Sequence, residues 1–357
     1  MPNPRRILVT GGAGFVGATL AIALAQRHPK AEIVALDNLY RRGSELNLPR
    51  LRAAGVAFVH GDVRERSDLE ALPRVDALVE CSAEPSALAG VHGETAYPVG
   101  ANLLGAYHCL ELARRDGAHL VFLSTSRVYP FGALGALRLE EAATRLELAD
   151  AQDVPGASAA GIAEDFPLDG ARTLYGATKL AAELLIAEYS ASFGLPTVID
   201  RCGVIAGPWQ MGKVDQGVFT YWMLAHHFGR PLRYIGFGGT GKQVRDLLHV
   251  DDLVDLVDDQ LERPEHWRGA TVNVGGGPAV SLSLLETTTL CRELTGTEIA
   301  VEETDEERPG DVPIYISDCR RLHALTNWRP RRDGRAVLMD ILAWVQKHED
   351  AVASAAL

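Results

Sequence analysis

Cysteine is scarce in this chain. Cys81, Cys109, Cys202, Cys291 and Cys319 are the five among 357 residues, an odd number with no Cys-x-x-Cys pair. That excludes a disulfide framework and suits reduced thiols, so a cytoplasmic location is expected. Aromatic residues make up only 6%, leaving Ala, Leu and Val to build the core. No stretch approaches the ~20 apolar residues that a membrane helix needs. An excess of positive charge is missing too: 35 Lys and Arg stand against 47 Asp and Glu, a net charge of −12. This balance argues against a nucleic acid polymer or a membrane surface as partner, although one local pocket can still be positive. The eleven His show no metal-ligand spacing, so no metal is expected, and His226-His227 is expected on a helix face. The start, Met1-Pro2-Asn3-Pro4-Arg5-Arg6, runs within a few residues into a core strand and is not expected to be a signal peptide.

What the chain does have is alternation. Arg6 to Thr10, Glu32 to Leu36, Val56 to His60, Val75 to Glu80, His119 to Ser124 and Pro196 to Cys202 read as strands. Ala18 to Gln26, Asn102 to Arg115 and Leu174 to Phe193 read as helices between them. Parallel strands with right-handed helical crossovers follow, hence an α/β fold with a Rossmann-type doubly wound sheet. Residues 131–173 are rich in Ala, Gly, Asp and Pro and read as a long, functional or disordered insert. A helix is expected from Ser281 to Leu294, capped by Ser281 or Ser283, and the tail from Ala351 to Leu357 is expected to fray. The domains expected are 1–202, carrying the insert 131–173 and a return segment 243–275, and a smaller α+β lobe over 203–350.

Three motifs carry chemistry. Thr10-Gly11-Gly12-Ala13-Gly14-Phe15-Val16-Gly17 joins the first strand to the first helix. Gly11, Gly14 and Gly17 permit a tight turn, a close backbone approach to a pyrophosphate and close helix–strand packing. The helix start at Phe15 and Val16 then offers unpaired N–H groups and a positive dipole end to the phosphates. Asp37, followed by Asn38, closes the second strand about 20 residues on, where a carboxylate accepts from the adenosine ribose hydroxyls and repels a 2′-phosphate. NAD is therefore favoured over NADP, with Arg41-Arg42 nearby as the counterweight. Asp62-Val63 can flank the adenine or simply end the third strand.

The second motif, Tyr175-Gly176-Ala177-Thr178-Lys179, places a phenol and an ammonium four residues apart on one helix face. A free phenol titrates near ~10 and is a poor base at neutral pH. A neighbouring ammonium and a nicotinamide cation lower that value toward the working range. Lys179 can also hold the nicotinamide ribose. The third motif, Ser124-Thr125-Ser126-Arg127-Val128-Tyr129, ends the fifth strand, and strand C-termini are where ligands sit on such sheets.

Together these motifs resemble the extended short-chain dehydrogenase/reductase superfamily, in particular its sugar-nucleotide epimerases and dehydratases. The resemblance implies that Thr125 is the catalytic hydroxyl, Tyr175 the general acid/base and Lys179 its support. It also implies a nucleotide-sugar substrate and a homodimer formed through two long helices, that of Tyr175 and the stretch Asn102 to Arg115. The segment 241–252 resembles the one whose arginine, here Arg245, contacts the diphosphate, and Glu307-Arg308-Pro309-Gly310-Asp311 resembles the second diphosphate arginine. A narrower resemblance, resting on Gln210, on Asp215-Gln216-Gly217 and on segments 241–246 and 281–286, is to the CDP-paratose 2-epimerase group. It implies chemistry at C2 of a CDP-sugar, with Ser126, Arg127, Gln210, Gln216, Arg245 and Arg308 on the substrate. Two departures stand out. The dehydratases follow the Thr with Asp-Glu, where this chain has Ser126-Arg127. Many 4-epimerases carry Asn three residues after the arginine of the sixth strand, where Arg201 is followed by Cys202-Gly203-Val204. An NDP-hexose 4-epimerase and a reductase or dehydrogenase with external cofactor turnover remain open. The intact Thr125, Tyr175 and Lys179 set speaks against a non-catalytic scaffold.

Overall fold

A computed structural model describes residues 4–86, 88–91, 93–212 and 216–356. Asp215, part of one sequence motif, lies outside the described residues. Seven strands form the main sheet: β1 Arg6–Thr10, β2 Glu32–Asp37, β3 Ala57–His60, β4 Ala77–Glu80, β5 His119–Thr125, β6 Thr197–Cys202 and β7 Ala270–Val274. Their spatial order is β7-β6-β5-β4-β1-β2-β3. Strands β1 to β5 pair in parallel, with Thr10 opposite Glu80 and Glu80 opposite Phe122 in register. This is the doubly wound, Rossmann-type sheet, and its order reverses between β1 and β4. A ligand crevice opens at such a switch point, outside the carboxyl ends of the strands.

Helices α1 Phe15–Arg27, α2 Gly105–Asp116, α3 Leu174–Phe193 and α4 Val250–Glu262 belong to the crossovers. The apolar runs of the strands bury against them. Leu8, Leu36, Leu78, Leu120, Phe122 and Ile199 share one core with Leu110 and Leu112 of α2 and Ala182 and Ile186 of α3. Leu103 packs on that core as well, whereas Leu104 is exposed. Each fully buried side chain of this kind contributes about 1.5–3 kcal/mol. Among the described residues no helix is long and apolar enough to cross a membrane.

The chain divides into two compact units. The first comprises Met1–Thr125, Leu174–Arg201 and Leu253–Thr271; the second comprises Ser126–Thr173, Cys202–Asp252 and Val272–Leu357. The insert 131–173 thus groups with the second unit, whereas the sequence attaches it to the first. It is also structured: a short helix Phe131–Gly135, a hairpin of Leu139–Glu141 with Leu146–Leu148, and another of Ala157–Ser158 with Gly161–Ile162. Strands of two or three residues are too short to show alternation. Their support is long-range. Ser283 Oγ donates to the Thr144 carbonyl at 2.7 Å, and the Leu146 N–H donates to the Lys242 carbonyl at 2.9 Å.

Two local expectations are corrected. Ser281–Ser283 is a strand, antiparallel to Val244–His249, and the helix starts only at Leu284. Ser283 forms a capping box with Glu286, and this cap fixes where the helix begins. The tail is helical over Glu349–Ala356. Val352 buries its side chain there, which holds the segment down.

Candidate active site

The glycine turn sits where β1 feeds α1. Gly11 has φ +61°, and a Cβ there would stand 2.8 Å from the Cys81 carbonyl oxygen. A Cβ on Gly17 would stand 2.1 Å from the Gly11 carbonyl oxygen. Only hydrogen fits at either position. Gly14 is the extended N-cap and has no side chain to cap the helix, so the N–H groups of its first turn, at Phe15, Val16 and Gly17, have no capping side chain from that position. Asp37 closes β2 and is 9% exposed; it accepts from the Ala13 N–H at 3.0 Å and the Leu39 N–H at 2.8 Å. Burial pushes its carboxyl up from the ordinary range, against those backbone donors. Two backbone bonds leave a carboxylate with lone pairs to spare for ribose hydroxyls.

Asn38 and Asp62 are brought together, Asn38 Nδ2 donating to Asp62 Oδ2 at 2.9 Å. Asp62 also pairs with Arg64 at 2.7 Å. Burial would raise the Asp62 carboxyl, but Arg64 and Asn38 outweigh it and hold it low. Val63 is buried in the core, and its carbonyl contacts His108 Nδ1 at 2.8 Å. Turn, acid and helix start fit a bound dinucleotide: the first turn of α1 would meet the pyrophosphate and Asp37 the ribose.

Thr125 is the last residue of β5 and 8% exposed. Tyr175 is half-buried at the start of α3. The buried face of α3 carries Gly176, Thr178, Lys179, Ala182, Glu183 and Ile186, a helical repeat with two ionisable groups in it. Lys179, 2% exposed, has its Nζ 3.6 Å from Glu80 Oε2 and 3.8 Å from the centroid of the Phe122 ring. One turn on, Glu183 is held by Arg201 through Nε at 3.0 Å and Nη2 at 2.7 Å, and Ser124 Oγ donates to its other oxygen. Glu80 and Glu183 do not figure among the sequence candidates. Glu183 had a signal, being four residues beyond Lys179 and so on the same face. Glu80 had none, because a charged residue closing an apolar strand reads as a solvated strand end.

In the second unit, Ser126 and Arg127 lie half-buried in a 3-10 turn, Ser126–Val128. Arg127 Nη1 donates to the Gly310 carbonyl at 3.2 Å, and its Nη2 lies 3.7 Å from Asp311. Arg245 donates through Nη2 to Asp311 Oδ1 at 2.7 Å and to the Val312 carbonyl at 2.6 Å. Burial lowers the Arg245 guanidinium from its usual range, opposed by Asp311. Burial alone would raise Asp311, yet Arg245, Arg127 and Arg308 together hold it low. Arg127 and Arg245 therefore meet at one carboxylate within the field of Arg308, and guanidinium forks of this kind suit phosphate oxygens. Gln210 differs: its amide is already used, accepting from Thr220 Oγ1 at 2.7 Å and donating to the Ile205 carbonyl at 3.0 Å. Gln216 is half-buried, with its Oε1 unpartnered among the described residues.

Ligand atoms of His28, Asp258 and Glu262 lie within 4.8 Å of one another. Asp258 is already shared between His28 at 2.6 Å and Arg27 at 2.9 Å, and a guanidinium at that carboxylate opposes a second cation. None of the five cysteines is in a disulfide.

Residues 7–275 match the model of the NAD dependent epimerase/dehydratase family. The chain is 28% identical over 355 residues to CDP-paratose 2-epimerase of Salmonella typhi, covering 95% of this chain and 98% of that one. It is 29% identical over 347 residues to dTDP-glucose 4,6-dehydratase of Mycobacterium tuberculosis, covering 96% and 94%. Among solved structures it is similar to UDP-glucose 4-epimerase of Thermus thermophilus in complex with NAD, with a TM-score of 0.74 and 26% identity over 96% of this chain and 99% of that one. With its glycine turn, its Tyr-x-x-x-Lys helix and a family match over three quarters of its length, the chain belongs to the NAD dependent epimerase/dehydratase family and is an NAD-dependent enzyme.

Proposed function

We propose that this enzyme interconverts a nucleotide-linked hexose and its epimer, at C2 of a CDP-sugar. The observation that carries the choice is Ser126-Arg127, standing where the resemblance puts the Asp-Glu of the dehydratases. Neither Ser126 nor Arg127 carries a carboxyl group that could protonate a departing hydroxide, and Arg127 is engaged with the Gly310 carbonyl and Asp311. The end-to-end likeness to a CDP-paratose 2-epimerase supports C2. The likeness to a UDP-glucose 4-epimerase keeps C4 as the second reading.

The chemistry that bound NAD supplies is reversible hydride exchange with a carbinol carbon. Tyr175 takes the proton from the reacting hydroxyl and returns it to the carbonyl oxygen when the opposite face is reduced. Thr125 orients that oxygen by a hydrogen bond. Lys179 lowers the cost of the phenolate and holds the nicotinamide ribose. Arg127, Arg245 and Arg308 grip the diphosphate while the sugar turns over, and Ser126 and Gln216 are the polar contacts proposed for the rest of the substrate, with Gln210 supporting the segment from inside. Asn38, Asp62 and Val63 flank the adenosine. Residues 1–202, with the return segment, serve the cofactor, and 203–350 mainly serve the nucleotide sugar.

Leu104 and Tyr107 on one helix, and Leu184 and Phe193 on α3, are exposed apolar residues in the first unit. They are the surface for a homodimer, and sedimentation of Leu184→Glu should show a monomer where the native chain is a dimer. The enzyme is read as cytoplasmic and as serving carbohydrate biosynthesis. The experiment that tests the function is NMR of the purified protein with CDP-paratose or CDP-tyvelose, UDP-glucose and dTDP-glucose in turn. A C2 epimer of the CDP-sugar without net NADH is the expected result. Water loss from dTDP-glucose, or net NADH, would overturn it.

A further inference from the structure

Glu80 is the last residue of β4, at the switch point of the sheet, between Thr10 of β1 and Phe122 of β5 in register. It is 1% exposed, and neither carboxylate oxygen has a hydrogen-bond partner among the described residues. Its surroundings are the Thr10 hydroxyl from β1, the Phe122 ring from β5, the Cys109 thiol from α2, Cys81 and the Ser82 N–H just past its own strand and, from α3, the Lys179 ammonium at 3.6 Å. A buried carboxylate without hydrogen bonds is strongly disfavoured unless a cation faces it. Lys179 is the cation it faces, and Lys179 is the residue that sets Tyr175's working range.

We propose that Glu80 is a positioning residue for Lys179: it holds the ammonium from the sheet side and offsets the field that Lys179 casts on Tyr175. The carboxylate lies 3.6 Å from Nζ, beyond a tight hydrogen bond, so it anchors the charge without consuming the ammonium's donors. Those donors stay available for the ribose. Burial pushes the Glu80 carboxyl up and Lys179 opposes the push, so the charge on Glu80 depends on the lysine it holds. The offset has a sign. A negative charge behind Lys179 weakens the stabilisation of a Tyr175 phenolate, so removing that charge moves Tyr175 to lower pH.

This rests on Tyr175 being the acid/base, and the experiment separates the two. Compare the native enzyme, Glu80→Gln, Glu80→Asp and Tyr175→Phe by the pH dependence of kcat and by the ultraviolet titration of tyrosinate that Tyr175→Phe abolishes. In Glu80→Gln both midpoints should move to lower pH by about half a unit or more, and Glu80→Asp should restore them. Coincident midpoints in a folded Glu80→Gln protein would overturn the proposal while leaving Tyr175's role intact. An active Tyr175→Phe would instead overturn the functional reading. If Glu80→Gln does not fold, the thermal midpoints of Lys179→Met and Glu80→Gln/Lys179→Met carry the test. A higher midpoint in the double variant supports the pairing, and an equal or lower one overturns it.

Discussion

Lys179 and Glu183 sit one turn apart on the buried face of α3, yet their ion pairs differ in length, in hydrogen bonding and in neighbours. Glu183 receives both Nε and Nη2 of Arg201 within 3.0 Å and a hydroxyl from Ser124. Its oxygens are filled and its geometry is fixed from two strands. Glu80 meets Lys179 at 3.6 Å with no hydrogen bond. A buried pair offsets its desolvation only when hydrogen bonds complete it. The first pair meets that condition and fastens the helix to the sheet. The second does not, and an incomplete buried pair at a ligand crevice is where function displaces stability. Asp200, beside Arg201 on β6, is a third variant: fully buried, with the Gln260 amide at 2.8 Å and, among the described residues, no cation paired with it.

The largest expected effect comes from breaking the complete pair. Arg201→Met strands a buried carboxylate and should cost about 3–5 kcal/mol in denaturant unfolding, with activity falling in step with the folded fraction. Lys179→Met should do the reverse, cutting kcat ~100-fold or more while a smaller loss of stability is seen near neutral pH. That smaller loss should grow with pH. Glu80's folded value is raised, so the protonated, neutral form is kept below it, and stability falls as pH rises through it. Equal stability losses for the two variants would erase the distinction between the pairs.

Asp200 sharpens it next. Burial raises its carboxyl to about 7, against a few units lower when unfolded. The folded chain therefore binds a proton that the unfolded chain releases, and stability is full at acid pH and lost as pH rises toward about 7. Asp200→Asn should flatten that slope by a few kcal/mol between about pH 4 and 7, read from urea midpoints across the range. The smallest effect is in the second unit. Arg308 is half-buried in a turn, so Arg308→Ala should raise KM about tenfold with little change in thermal midpoint. Arg245→Ala should raise KM and lower the midpoint together, because Asp311 loses its closest partner.

How far the sequence reaches can be judged on these same residues. Gly11, Gly14 and Gly17 are legible because a strand–turn–helix admits few residues at those spacings. Tyr175 and Lys179 are legible because four residues bring two side chains to one helix face. The doubly wound sheet is legible from strand–helix alternation, whereas its seventh strand, Ala270–Val274, is not, because no clear alternation leads into it. Glu80 is not legible, since its meaning depends on β1, β5 and α3 closing over it, all distant in sequence. The insert is not legible either, because its hairpins are held by Lys242 and Ser283 rather than by their own pattern. Ser281 and Ser283 are equivalent caps by residue type, and only the box with Glu286 singles out Ser283.

In a redox-neutral epimerisation one hydrogen leaves a carbon and returns to its other face. The most direct test is NMR of the purified enzyme with a CDP-sugar deuterated at C2, in ordinary water. The expected product is a C2 epimer that keeps its deuterium, with no net NADH. Deuterium washed out to solvent, or an oxidised or dehydrated sugar in place of the epimer, would contradict it.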